Sequence, residues 1–299
     1  MEKVIVKVPA TSANLGPGFD CLGIALNLYN TFIFQKKDEF EFINVLEKYC
    51  NLNNMVVRSA LTTYEYLGVE PICFSLEESE EVPISRGLGS SATCIVAGIM
   101  AANYFAGNKL TKSEIVKIAT SIEGHPDNVA PAIVGGLVSS VMLEDEVVYT
   151  KHRVSENLLF TVCIPNFQLS TAKARQVLPK RLSYYDIVYS MSRAINIPNA
   201  ISQGDIKILY KLIDDKLHEP YRIKLIQEAS RFKVLSKRLK VPFCISGSGS
   251  TLLYISDREI ESKLCNGRYR NKWEFKTLKP DTEGTKVEVI NEEWFFNCT

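Results

Sequence analysis

A chain of 299 residues, 46% hydrophobic and 23% charged, has the composition of a globular protein large enough for one large or two ordinary domains. Its 35 basic and 34 acidic residues leave a net charge of +1, too little to gather nucleic acid or an acidic membrane surface, so the expected partner is a small molecule. Three histidines (His125, His152 and His218) and no CxxC pair argue against a transition-metal centre and leave a hard, oxygen-bound cation as the metal to expect.

The opening MEKVIVKVPA lacks the apolar core of a signal peptide, and no run of 18 apolar residues follows, so a cytoplasmic address is expected. Val4 to Val8 is β-branched and reads as a strand, resumed from Leu26 to Phe34 after a Gly/Pro/Asn-rich connection. Asn54 to Leu67 has Val57, Ala60, Leu61 and Tyr64 on one face and Gly68 behind it, the pattern of a helix. Pro71 to Leu76 is a further strand. From Ser90 to Phe105 nearly every residue is small or apolar, which predicts a helix buried on all sides. Lys112 to Glu123 predicts a helix with a capping box from Thr111 to Glu114, stopped at Gly124-His125-Pro126.

Gly135-Gly136 precedes an apolar run from Leu137 to Leu143, followed by an exposed acidic hairpin at Glu144-Asp145-Glu146. Leu158 to Pro165 is a strand that opens the second half. Helices over 184–197, 204–217 and 221–238 then precede strands at Pro242 to Ser246 and Leu252 to Ile255, and Glu274 to Val289 alternates like strand. Without repeats or a low-complexity linker, the division falls near 160, giving domains of 1–160 and 161–299. The eight cysteines (21, 50, 73, 94, 163, 244, 265 and 298) lie mostly in apolar runs and read as reduced core residues.

The segment that carries chemistry is Pro83-Ile84-Ser85-Arg86-Gly87-Leu88-Gly89-Ser90-Ser91-Ala92-Thr93. Its two glycines permit positive φ and close approach to a ligand, and the helix behind them aims free N–H groups and a positive dipole end at an anion. It is not a Walker loop, because Ser90 follows the second glycine and no lysine is near, and Ala92 stands where a dinucleotide fold would place its third glycine. A nucleotide triphosphate is the ligand such a loop suits.

Three segments together resemble the GHMP kinases: VPATSANLGPGFD (Val8 to Asp20), this loop, and ISGSGST (Ile245 to Thr251). Within the family, the first segment and EGHPDNVAPAIVGG (Glu123 to Gly136) are similar to the branch that phosphorylates homoserine rather than to the sugar or mevalonate kinases. The likeness spans most of the chain as far as about Arg258, with one departure: Ser250 replaces the usual proline.

This resemblance implies a two-domain α/β (α+β) GHMP kinase fold, with a left-handed βαβ crossover in the N-terminal domain and a ferredoxin-like C-terminal domain. It implies transfer of the γ-phosphate of ATP, with Mg²⁺, to the side-chain hydroxyl of L-homoserine in threonine biosynthesis, in a homodimer. Ser91 and Glu123 would hold the metal, Arg175 and Arg222 the substrate carboxylate, and Asn14 and Asp20 the ammonium. Asn128 would orient the hydroxyl, and Asp127 is the candidate base, although a dissociative transition state has little need of one. His125 reads as a turn residue. Asn54 matches an adenine contact, and helix capping explains it equally well. Two alternatives stay open: another GHMP kinase acting on a carboxylate-bearing alcohol, and a catalytically silent homologue that senses ATP or an amino acid.

Overall fold

The computed structural model describes residues 2–291. The first half comprises β1 (Glu2–Ala13), β2 (Leu22–Lys36), β3 (Glu41–Ile43), α1 (Met55–Leu67), β4 (Phe74–Glu80), α2 (Ser90–Phe105), α3 (Lys112–Glu123), α4 (Pro126–Val134), β5 (Leu137–Met142) and β6 (Val147–His152). The second comprises β7 (Leu159–Pro165), α5 (Thr171–Gln176), α6 (Tyr184–Ala194), α7 (Ile197–Gln203), α8 (Ile206–Leu212), α9 (Glu219–Arg222), α10 (Ala229–Leu239), β8 (Phe243–Ile245), β9 (Leu252–Ser256), α11 (Glu261–Cys265), β10 (Trp273–Leu278) and β11 (Lys286–Asn291).

The larger sheet runs β11-β1-β2-β4-β3, with β5 and β6 joined to the near end of β2. Strand β2 is longer than its apolar run suggests because it serves two partners on one side: Leu22 to Ile24 face β5, and Asn30 to Lys36 face β4. Its register against β1 shifts between Pro9 and Ala10, where proline cannot donate to the ladder. Inward residues Val4, Val6, Val8, Phe32 and Phe34 pack against Val96, Ile99, Val116 and Val129 of the helices. Helix α2 is buried nearly all round, as its composition predicts.

The smaller sheet is antiparallel in the order β10-β7-β9-β8. With helices between β7 and β8 and α11 between β9 and β10, this is the βαββαβ order of a ferredoxin-like layer. Leu15, Ile24 and Leu88 from the first half share one apolar cluster with Phe160, Val162, Leu209 and Leu253 from the second. The loops that carry the glycine motifs are therefore held between the two sheets.

Several expectations need correction. The segment 161–299 does not keep its strands in one layer, since β11 returns to pair with β1 from Glu2 to Lys7. Helix α3 does end at Glu123 with Gly124 in the left-handed conformation, but a further helix was not expected: Pro126 occupies the first position of α4, where its missing N–H costs nothing. The helices expected over 184–197, 204–217 and 221–238 are shorter pieces, broken at Asn196-Ile197-Pro198 and at Gly204, whose positive φ ends α7. Strand β4 starts at Phe74 rather than Pro71. Not all cysteines are core residues: Cys163 and Cys244 are buried, whereas Cys21, Cys50 and Cys265 are exposed because they lie at turns and element ends. Position 298 lies outside the described residues, as does the end of the expected second domain.

The short helix α9 is anchored by carboxylates. Asp215 accepts hydrogen bonds from the backbone N–H groups of Leu217, His218 and Glu219 and from Ser190 Oγ. Glu219 accepts from the Ile245 N–H at 2.6 Å, tying α9 to β8. Burial, with Asp215 nearby, pushes the Glu219 carboxyl up to about 8 from an ordinary 4.5. Between those values the folded chain keeps a proton that the unfolded chain has lost, so stability falls as pH rises through this window. Glu219→Gln should remove that contribution. The loss of Tm between about pH 5 and pH 8.5, followed by calorimetry, is expected to be smaller in the variant; an equal loss in both proteins would contradict the assignment.

Candidate active site

The three motifs meet through hydroxyls and carbonyls. Ser246 Oγ lies 2.6 Å from Gly87 O and 2.9 Å from Ser12 Oγ, linking the C-terminal glycine segment, the phosphate-type loop and β1. The Gly247 N–H donates to Ala13 O, the Thr11 N–H to Leu88 O, and the Thr251 N–H to Arg86 O. Arg86 itself donates to the carbonyls of Ile84, Pro165 and Asn166, fixing the loop against β7. Asn30, fully buried on β2, was not singled out by the sequence reading: it accepts from the Glu81 and Val82 N–H groups and donates to Thr93 Oγ1. One side chain thus fixes both flanks of the loop.

Gly87 and Gly89 have φ of +79° and +73°, and Gly89 caps α2. The first-turn N–H groups of α2 face the cavity with no acidic residue in that turn, a favourable arrangement for an anion. Ser91 Oγ donates to Glu123 Oε2 at 2.8 Å, so the two expected metal ligands are brought together from α2 and α3. Burial pushes the Glu123 carboxyl above its usual range, partly offset by Ser91, His125 and Arg175. A half-buried carboxylate and a hydroxyl are oxygen donors of the kind Mg²⁺ takes alongside waters and phosphate.

A cavity of about 310 Å³ extends from this loop to the expected substrate end. There Asp20 and Arg175 are paired bidentately at 2.9 and 3.0 Å, each about one-third exposed. The residue expected to meet an ammonium and one expected to meet a carboxylate are thus paired with each other. Arg222 differs: it is 1% exposed, and no carboxylate pairs with it among the described residues. It is held by the carbonyl oxygens of Ala174 (3.2 Å) and Gly247 (3.4 Å), and burial, with Arg175 nearby, lowers its pKa to about 10. It remains a cation at neutral pH.

Asn14, at positive φ, donates to Gly247 O and accepts from the Asp20 N–H, so its amide shapes the turn as well as lining the cavity. Asn128 Oδ1 accepts from Thr11 Oγ1 at 2.8 Å. Asp127 Oδ1 lies 2.8 Å from His125 Nδ1, and Asn128 Nδ2 approaches it at 3.4 Å. Burial opposes the charged imidazolium of His125, but Asp127, Glu123 and Asp20 outweigh it and raise its pKa. His125 is the N-cap residue of α4, and it also lines the cavity. Asn54 caps α1 through the Val56 N–H and lines the cavity too, so both of its expected roles remain compatible. Tyr49, Glu78 and Glu80 line the same end and were missed, because they lie in a short turn and on a strand with no motif around them. Burial and the adjacent Glu80 push Glu78 up to about 7.

Comparison with known proteins gives the family. Residues 54–136 match the GHMP kinases N terminal domain. A homoserine kinase from Clostridium botulinum (strain Langeland) is 40% identical over 291 residues, covering 95% of this chain and 98% of that protein. The chain belongs to the homoserine kinase family. A second member, from Clostridium beijerinckii, is 42% identical over 261 residues, 86% of this chain and 88% of its own. The crystal structure of the homoserine kinase from Cytophaga hutchinsonii superposes with a TM-score of 0.85 at 27% identity, covering 96% of this chain and 97% of the other. The two sheets are those of a GHMP kinase, and the homoserine kinase likeness extends through both.

The loop tolerates little added volume. A Cβ on Gly87 would overlap Ser246 O and lie 2.8 Å from Gly249 O, whereas one on Gly68, also at positive φ, meets nothing within 4 Å. Gly68→Ala should cost about 1 kcal/mol through backbone strain alone. Gly87→Ala should cost at least about 2 kcal/mol and weaken nucleotide binding, as read by denaturant unfolding and calorimetry. Equal losses in the two variants would show that the loop contact is not constraining.

Proposed function

We propose that this chain transfers the γ-phosphate of ATP to the side-chain hydroxyl of L-homoserine, giving O-phospho-L-homoserine. The observation that carries this reading is Arg222, a buried cation beside the cavity with no carboxylate partner among the described residues. A buried unpaired charge is costly, and an anionic ligand relieves the cost. A second anion site at the α2 N-terminus lies on the same cavity. A carboxylate-bearing acceptor and a polyphosphate donor suit its two ends.

The Asp20–Arg175 pair supports an amino acid in particular. A zwitterion can enter it, its carboxylate taking the guanidinium and its ammonium the Asp20 carboxylate, so that one ion pair becomes two. A simple hydroxy acid would leave Asp20 without its cation. Asn14 and Asn128 flank this end, with Asn128 oriented by Thr11 so that its amide N–H₂ faces Asp127 and the cavity. Asn128 would direct the acceptor hydroxyl, and Asp127 is the carboxylate nearest to accept its proton.

Backbone N–H groups between Gly87 and Ala92 would cradle the phosphates, that of Thr93 being donated to Gly89 O instead, and Asn54 would border the base. Ser91 and Glu123 would hold Mg²⁺, which when bound offsets phosphate charge. A cytoplasmic location and a homodimeric assembly are carried over with the family reading.

A coupled assay of ADP release with homoserine, mevalonate, galactose and threonine as acceptors tests the whole reading. Homoserine is expected to be the preferred acceptor; turnover of another acceptor with none of homoserine would overturn it, and nucleotide binding without ADP release from any acceptor would favour a sensor. Arg222→Ala should raise the homoserine KM by about 10- to 100-fold, the loss of a charge-assisted contact, while the ATP KM stays within about twofold. Ser91→Ala should raise the Mg²⁺ concentration needed for half-maximal rate and leave the homoserine KM nearly unchanged. A shift confined to homoserine would remove Ser91 from the metal site.

A further inference from the structure

His218 is fully buried at the start of α9, and nothing above assigns it a role. Its Nε2 lies 2.7 Å from Gly16 O and its Nδ1 3.3 Å from Arg222 Nη1. A carbonyl only accepts and a guanidinium only donates, so both contacts require one species: neutral imidazole with the proton on Nε2 and a lone pair on Nδ1. Asp215 Oδ2 stands 3.6 Å from Nε2, but already accepts from the N–H groups of His218 and Glu219. The ring also stacks on Phe19, with centroids 5.1 Å apart. The guanidinium carbons of Arg222 and Arg175 lie 4.9 and 5.6 Å from the same Phe19 ring.

A buried histidine can be plain core filling, but here both nitrogens are used and they point at different parts of the site. One reaches the Gly16 turn, which carries Asn14 and Asp20; the other reaches Arg222. The remaining protein acceptors of Arg222 are the Ala174 and Gly247 carbonyls, on Nε and Nη1, and Nη2 has no hydrogen-bond partner among the described residues. We propose that His218 is a positioning residue for substrate binding: it accepts from Arg222 Nη1, donates to Gly16 O, and so holds Arg222 at a fixed distance from the Asn14–Asp20 turn with Nη2 left for the ligand carboxylate. Burial lowers the imidazole pKa, against Asp215, Gly16 and Asp20, which raise it, and with Arg222, which also lowers it. The neutral form that the two contacts need is therefore the one favoured.

This inference rests on the reading of Arg222 as the carboxylate cation, and the test separates the two. His218→Gln keeps a donor that can reach Gly16 O but has no acceptor at the Nδ1 position; His218→Asn keeps an acceptor there. His218→Gln is expected to raise the homoserine KM roughly tenfold, with kcat and the ATP KM within about twofold, and His218→Asn to lie nearer the wild-type value. An unchanged homoserine KM in both variants, when Arg222→Ala raises it, would overturn the positioning role alone. An unchanged KM in Arg222→Ala would overturn the carboxylate reading itself. Wild-type protein carrying ¹⁵N-labelled histidine gives a readout that does not depend on any variant folding: its three histidines are few enough to resolve. His218 is expected as the Nε2–H tautomer at neutral pH, with its Nδ1 resonance shifted on adding homoserine. An Nδ1–H tautomer or an imidazolium would overturn the proposal.

Discussion

The Ser246 hydroxyl stands between the Gly87 carbonyl and the Ser12 hydroxyl, and the placement of the glycine loop on the cavity depends on that junction. Backbone from three distant parts of the chain has to converge there, and it does so only because side chains are absent at Gly87 and Gly89, where a Cβ would overlap Ser246 O and Thr11 Oγ1 respectively. Close packing of this kind leaves the loop few alternative conformations. It also explains the supporting bonds around it: Arg86 to three carbonyls and Asn30 to both flanks spread the constraint into β7 and β2. The loop end of the cavity is thus built from main chain, and the side chains secure the main chain.

The other end of the cavity is organised by charge. Asp20 pairs with Arg175, while Arg222 has no carboxylate in contact among the described residues and is held by carbonyl dipoles, a neutral imidazole and the Phe19 ring, with Asp20, Asp127 and Asp215 acting on it at a distance. Such contacts offset part of the desolvation of a cation but leave a net positive charge in a low-dielectric place. The proposed selectivity for a ligand that brings its own carboxylate rests on that imbalance. Of the two acidic anchors of α9, Asp215 bonds backbone N–H groups and acts on the guanidinium only at a distance, and Glu219, its pKa raised to about 8 by burial, carries little charge at neutral pH.

Local features were the legible ones. The Thr111–Glu114 capping box, the buried helix α2 and the strand β7 stand where the residue pattern puts them, because each depends on neighbours a few positions away. Helix α4 was not read, since Pro126 looks like a stop unless one knows that it opens a helix, and Pro131 lies inside that same helix. That Asn14, Asp20, Ser91, Glu123, Asn128, Arg175 and Arg222 belong together was legible through their motifs, and they line one cavity. Their mutual pairing was not, because Asp20 and Arg175 are 155 positions apart. Asn30 carries no motif, and His218, although it opens the HEPYR segment that holds Arg222, gave no sign of its role; only the folded chain brings them to Thr93 and Arg222.

Strand β11 closes the outer edge of β1. Until residues 286–291 are in place, the first sheet ends in a strand whose N–H and C=O groups and β-branched Val4, Ile5 and Val6 are free to pair with another chain. On the ribosome, the amino-terminal layer can collapse early around α2, yet it must wait until residues 286–291 have been made before its rim is sealed. A nascent or truncated chain lacking that last ribbon would therefore be vulnerable to edge-to-edge association, and the vulnerability would arise at the layer farthest in sequence from the missing piece.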